Sequence, residues 1–149
     1  MDRVASRTRP DVGQKSKAMH IALWVVQILL AVLFLMTGAM KAFMPLDEVA
    51  KTMRWVADVP VGLVRFIGLA ELAGALGLIL PSATKIQPKL TPLAALGLAV
   101  IVLLGAILHF TRGEGALTPL NFILAAMAAF VAWGRTQKAP ILAQMTQGE

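Results

Sequence analysis

The sequence predicts an all-α membrane protein: a four-transmembrane-helix bundle with a short amphipathic interfacial helix between helices 1 and 2. Two observations carry this. Of the 149 residues, 58% are hydrophobic before the 12 glycines are counted, whereas soluble domains reach about 45–50% with glycine included. Charge is also placed unevenly. Residues 18–40, 66–84, 90–111 and 115–134 contain a single Asp, Glu, Lys or Arg, namely Glu71. A hydrocarbon layer of about 30 Å takes about 20 apolar residues of helix, so each stretch is long enough to cross it.

The elements follow in order. Residues 1–17 are polar and basic and read as a flexible cytoplasmic tail ahead of a membrane domain over residues 18–135. The first span covers about residues 19–43 and ends where Pro45 disfavours helix in the residue before it. Its apolar run is too long for a signal-peptide core, so a retained helix is expected. Residues 45–58 place Leu46, Val49, Ala50, Met53 and Val56 against Asp47, Glu48, Lys51, Arg54 and Asp58, the pattern of a helix with one polar face. It is too short to span and carries Trp55, so it is expected to lie on the membrane surface. Pro60 introduces the second span, about residues 61–80, which Pro81 is expected to end. The third and fourth spans cover about residues 90–110 and 117–134, and a polar tail occupies residues 136–149.

Four spans put both termini on one side. That side holds Arg3, Arg7, Arg9, Lys15, Lys17, Lys85, Lys89, Arg135 and Lys138; the other holds Lys41, Lys51, Arg54, Arg65 and Arg112. The excess of basic residues predicts cytoplasmic termini in a plasma (inner) membrane protein. The net charge of +6 is therefore read as a topology and lipid signal, and no nucleic-acid partner is expected. The chain has no cysteine, so neither an iron–sulfur cluster nor a thiolate-held metal is expected, and no other metal motif is present. His20 and His109 fall at opposite ends of the bundle, too far apart for a bis-histidine haem within one chain.

Glu71 is the exception inside the spans. Its helical neighbours are Gly68, Gly74, Ala75 and Leu78, which puts it on a small-residue face directed into the bundle. An intramembrane acid is a candidate functional group, and equally a paired or protonated group that locks helix packing. The alternating direction of the spans brings Thr37, Lys41, Arg65, His109, Arg112, Thr118 and Asn121 into the same membrane half. Lys41, Arg65, Glu71, His109 and Asn121 are the candidate ligand-binding residues. Individually, the basic groups could reach the headgroups, His109 could bond to backbone, and Asn121 could join helices. Gln27 stands alone in the other half of the first span and reads as structural. Small-residue spacings such as Ala70-x-x-x-Gly74 fit tight packing and are compatible with a homo-oligomer.

The ordered set Gly38-Ala39-Met40-Lys41, the whole block Arg65 to Pro81, Leu90-Thr91-Pro92-Leu93-Ala94-Ala95, His109, and Phe130-Val131-Ala132-Trp133-Gly134-Arg135 resembles the DoxX-like family of small four-helix membrane proteins. The resemblance covers about residues 19–135. It implies a link to a thiosulfate:quinone oxidoreductase membrane subunit, to oxidative or electrophile stress, or to receptor assembly, the roles found among such proteins. Two readings follow from it. One is a membrane subunit that binds a quinone-like or lipophilic small molecule and works with a soluble oxidoreductase partner subunit. The other is a non-catalytic scaffold or assembly factor for partner proteins. A transporter fits less well, because inverted repeats and broken helices are lacking.

Overall fold

The computed structural model describes residues 12–143, with side chains from Ser16 onward. Most of the expected basic tail and the end of the polar tail, residues 1–11 and 144–149, lie outside the described residues. Five α-helices form the fold: α1 (Val12–Phe43), α2 (Leu46–Thr52), α3 (Val61–Thr84), α4 (Leu90–Thr111) and α5 (Thr118–Trp133). Four segments, Ser16–Phe43, Val61–Thr84, Leu90–Thr111 and Gly115–Lys138, are long and apolar enough to cross a membrane. No strand occurs among the described residues.

The helices are ordered α1, α3, α4, α5 around the bundle, with α1 against α3 and α4 against α5 as the most extensive contacts. Leu30, Phe34, Ala75, Leu78, Leu98, Val102, Ala128 and Val131 fill the shared core. The outward faces carry Ile28, Leu29, Val32, Leu69, Leu76, Val100, Leu104 and Ile123, all exposed. That distribution suits lipid, which is as apolar as leucine and leaves close packing, small residues and a few polar contacts to hold helices together. A methyl at Gly74 would lie 2.6 Å from Leu98 Cγ, and one at Gly77 would lie 2.6 Å from Ala94 Cβ. The small residues of α3 are thus spent on its seam with α4, while Gly68 serves the seam with α1.

The amphipathic segment divides into α2 and a 3-10 turn over Arg54–Asp58. Met53 leaves the helical region at φ −119°, ψ 78°, and Val49 and Val56 on either side of it pack on Val64 of α3. Both pieces therefore sit across the same end of the bundle. Pro60 holds Val59 extended and starts α3, since its missing N–H costs nothing at a helix start.

Two helix ends differ from the sequence expectation. Pro81 lies inside α3, which continues to Thr84 and stops at Lys85 in the left-handed region, φ 58°. Neighbouring helices can satisfy backbone groups that a membrane proline frees. Pro81 removes the N–H that would meet the Gly77 carbonyl, and Gln27 Nε2 donates to the next carbonyl, that of Leu78, at 2.5 Å. The last span also runs past Gly134, as a wider π turn over Gly134–Lys138 closed by Ala139 N–H on the Gly134 carbonyl at 2.8 Å.

Candidate functional site

The site begins with a close helix crossing. A methyl added at Gly38 would lie 2.9 Å from the Gly68 carbonyl oxygen, and one at Gly68 would lie 2.8 Å from the Gly38 oxygen. Three residues further along each helix, on the same faces, stand Lys41 and Glu71. The Lys41 ammonium donates to both carboxylate oxygens of Glu71, at 2.6 and 2.7 Å. Thr37, one turn before Lys41, adds a third hydrogen bond to Oε2 at 3.1 Å. Lys41 is 6% exposed and Glu71 4%.

Such a pair is costly to bury unless each charge is matched and hydrogen-bonded. Here the carboxylate accepts three hydrogen bonds from two donor groups, while the ammonium uses two of its three protons on Glu71. The Trp55 ring lies 6.0 Å from Lys41 Nζ, the outer limit of cation–π contact.

Above the pair lies a cavity of about 510 Å³, within the size range of small-molecule sites. Leu33, Phe34, Val102, Leu120 and Leu124 give it apolar walls; Thr37, Lys41, Glu71, His109 and Asn121 give it polar groups; Thr52, Met53, Arg54 and Trp55 border it from the interfacial segment. Four of the five candidate residues, Lys41, Glu71, His109 and Asn121, therefore line one space. Arg65 does not. Its Nη1 donates to the carbonyls of Lys41 and Met44, each at 2.8 Å. These lie at the C-terminal end of α1, where carbonyls lack helical partners and a cation is favoured by the helix dipole. Arg65 thereby fixes the backbone that carries Lys41.

His109 ends α4 with Nδ1 2.7 Å from Glu114 Oε2. Arg112 Nε donates to Glu114 Oε1 at 3.2 Å, and its Nη1 donates to Asp58 Oδ2. This ties the α4–α5 connection to the turn that follows α2. Glu114 has its pKa lowered, first by the His109 hydrogen bond and then by Arg112; the guanidinium of Arg112 is raised, first through Asp58. On α5, Thr118 and Asn121 are one turn apart, and Thr118 Oγ1 and Asn121 Nδ2 are buried without a hydrogen-bond partner. Buried polar atoms are normally satisfied, and of these two residues, unpaired among the described residues, Asn121 lines the cavity.

Glu114 and the interfacial segment were not evident as site neighbours from sequence. This border folds back over the cavity from the connections, so its position does not follow from depth along a span. Asp58, Arg112 and Glu114 as opposite charges flanking short connections were the available signal.

Four membrane-length helices around a cavity with apolar walls define a small multi-pass membrane protein with a buried ion pair between its helices. The model of the DoxX-like family matches residues 25–131, and the chain belongs to that family. The match includes all five candidate residues. Comparison with curated proteins finds no match, and comparison with solved structures finds none.

Proposed function

We propose that the chain is a small membrane subunit that binds a quinone-like or lipophilic small molecule and supports a redox or oxidative-stress system. The observation that carries this reading is the cavity: apolar walls converging on Lys41–Glu71, His109 and Asn121 at one end of the bundle. A planar head group bearing carbonyl oxygens needs hydrogen-bond donors at its rim and apolar surface against its ring and tail. Lys41, Asn121 and His109, which line the cavity, are the candidate donors, and Phe34, Leu120 and Leu124 supply the surface.

A bound quinone takes up two electrons and two protons on reduction. In this reading the electrons come from a soluble partner subunit. Glu71 and His109, both lining the cavity, are placed to exchange protons with a group held there. Lys41 holds Glu71 in position, and Arg65 holds Lys41 through the end of α1. The proposal places both termini in the cytoplasm and the chain in the plasma membrane, supported by the nine basic residues on the terminal side against five on the other.

The test is extraction of lipophilic ligands from protein purified in mild detergent, together with titration by a short-chain ubiquinone. Retention of quinone by the wild type, and its loss in Asn121→Leu, is the expected result. Protein that neither carries extracted quinone nor binds the added one overturns the reading.

A further inference from the structure

At the opposite end of the bundle, Arg135 is 4% exposed. Its Nε donates to Gln27 Oε1 at 2.6 Å, its Nη1 donates to the Ala139 carbonyl at 3.3 Å, and the same Nη1 lies 3.1 Å from His20 Nδ1. The guanidinium stands 5.4 Å from the Trp24 ring centroid. Gln27 is itself held by the Leu78 carbonyl and by Ser82 Oγ at 3.4 Å, and Ser82 is joined to Thr91 at 2.8 Å. Gly134 makes this possible, because any side chain there would run into Leu23 of α1. Gln27, read from the sequence as solitary, is thus the first support of a buried cation.

Every one of these partners is neutral. None of the ion pairs among the described residues involves Arg135. The described acids, Asp47, Glu48, Asp58, Glu71 and Glu114, belong to the other end of the bundle or its connections. Arg135 Nη2 is buried without a hydrogen-bond partner among the described residues. A buried charge with no counter-charge among the described residues, and with an unused donor, is expensive to maintain. Neutral acceptors orient the fork through Nε and Nη1 and leave Nη2 unused among the described residues.

Arg135 also contributes to the wall of a second cavity, of about 1280 Å³, formed by the α3–α4 connection and the segment after the π turn. Lys85 and Lys89 stand on its rim, and Ile86, Ile141 and Leu142 give it an apolar side. Arginine reads phosphate oxygens by directed hydrogen bonds, whereas lysines add charge with little geometric demand. We infer that this cavity is an anion site for a phosphate group, anchored by Arg135 and attended by Lys85 and Lys89. It is distinct from the cavity at Lys41–Glu71 and independent of what that cavity binds. The phosphate has two chemical sources: the head group of an anionic phospholipid, whose chains would lie along the apolar side, or free phosphate.

The experiment measures thermal unfolding and native mass spectra of the full chain in neutral detergent with three additions: phosphatidylglycerol, phosphatidylcholine, and inorganic phosphate. Phosphatidylglycerol that stabilises and stays bound, with phosphatidylcholine inert, identifies a lipid head group. Stabilisation by inorganic phosphate alone identifies the free anion. Both results require that Lys85→Ala with Lys89→Ala, at exposed positions, weaken the effect several-fold, and that Arg135→Gln weaken it at least about tenfold. Arg135→Gln removes a buried group, so the double lysine variant keeps the test decisive if the glutamine variant does not fold. No stabilisation by either anion overturns the proposal, as does an equal response in the double lysine variant.

Discussion

Gly38 and Gly68 face each other across the α1–α3 crossing so closely that a methyl on either would fall within 3 Å of the other's carbonyl oxygen. Their contact sets the spacing at which Lys41 meets Glu71 three residues later. The ion pair is therefore a property of the backbone approach as much as of its two side chains. A lysine on a helix pushed outward by a methyl group would have to stretch toward a carboxylate that moved away with α3.

Gly68→Ala is expected to destabilise the protein by about 1–3 kcal/mol, the usual cost of overpacking a fitted interface. The added Cβ would meet backbone atoms at 2.6 and 2.8 Å, and backbone cannot rotate aside. Gly97→Ala, where nothing lies within 4 Å, should be neutral or slightly stabilising because it only improves helix propensity. Thermal unfolding of the two variants in one detergent separates these outcomes. Equal effects would show that the crossing is not tight.

Removing one partner of the buried pair should cost more than removing both. Lys41→Met leaves the Glu71 carboxylate buried with only Thr37 as donor, and the expected loss is about 3–5 kcal/mol. Lys41→Met combined with Glu71→Leu should recover much of that, because no uncompensated charge remains. A double-mutant cycle reads the coupling directly. Additive losses would mean that the two groups do not depend on one another.

Asn121→Leu removes a buried amide nitrogen that has no protein partner. Its effect on stability should be small, within about 1 kcal/mol, because no internal hydrogen bond is lost. Quinone affinity should fall about tenfold or more, as expected when a ligand acceptor loses its donor. A stability loss without a binding loss would assign Asn121 to helix packing.

The latch of Asp58, Arg112, Glu114 and His109 should weaken in acid. Glu114 titrates below its ordinary value of 4.5 in the folded protein. Its contribution is thus fully present above the unfolded value and disappears as pH falls through the lower folded one. Wild-type protein is expected to lose more stability between about pH 5 and about pH 3 than Glu114→Gln does. Parallel stability–pH curves would show that the carboxylate contributes nothing to the fold.

Hydropathy and charge placement made the spans legible, because a membrane helix must satisfy a requirement that acts on every residue facing lipid. The same pattern marked Glu71 as unusual and placed Lys41, His109 and Asn121 in one membrane half. The candidate set was less legible in direction. Arg65 has the same charge and depth as its neighbours, yet it turns to the carbonyls of α1. Arg135 follows a span and would ordinarily be read as an exposed end, yet it is buried against Gln27.

By itself, the sequence determined the number of spans, their approximate limits, the interfacial segment and the one acid within the spans. These depend on local composition and on periodicity along one chain. Tertiary structure alone decided that Gly38 lies over Gly68, that Lys41 rather than Arg65 neutralises Glu71, and that Gln27 meets Arg135. Helix rotation and separation depend on which small residues oppose one another across an interface. That information is shared between two distant segments, and neither segment carries it alone.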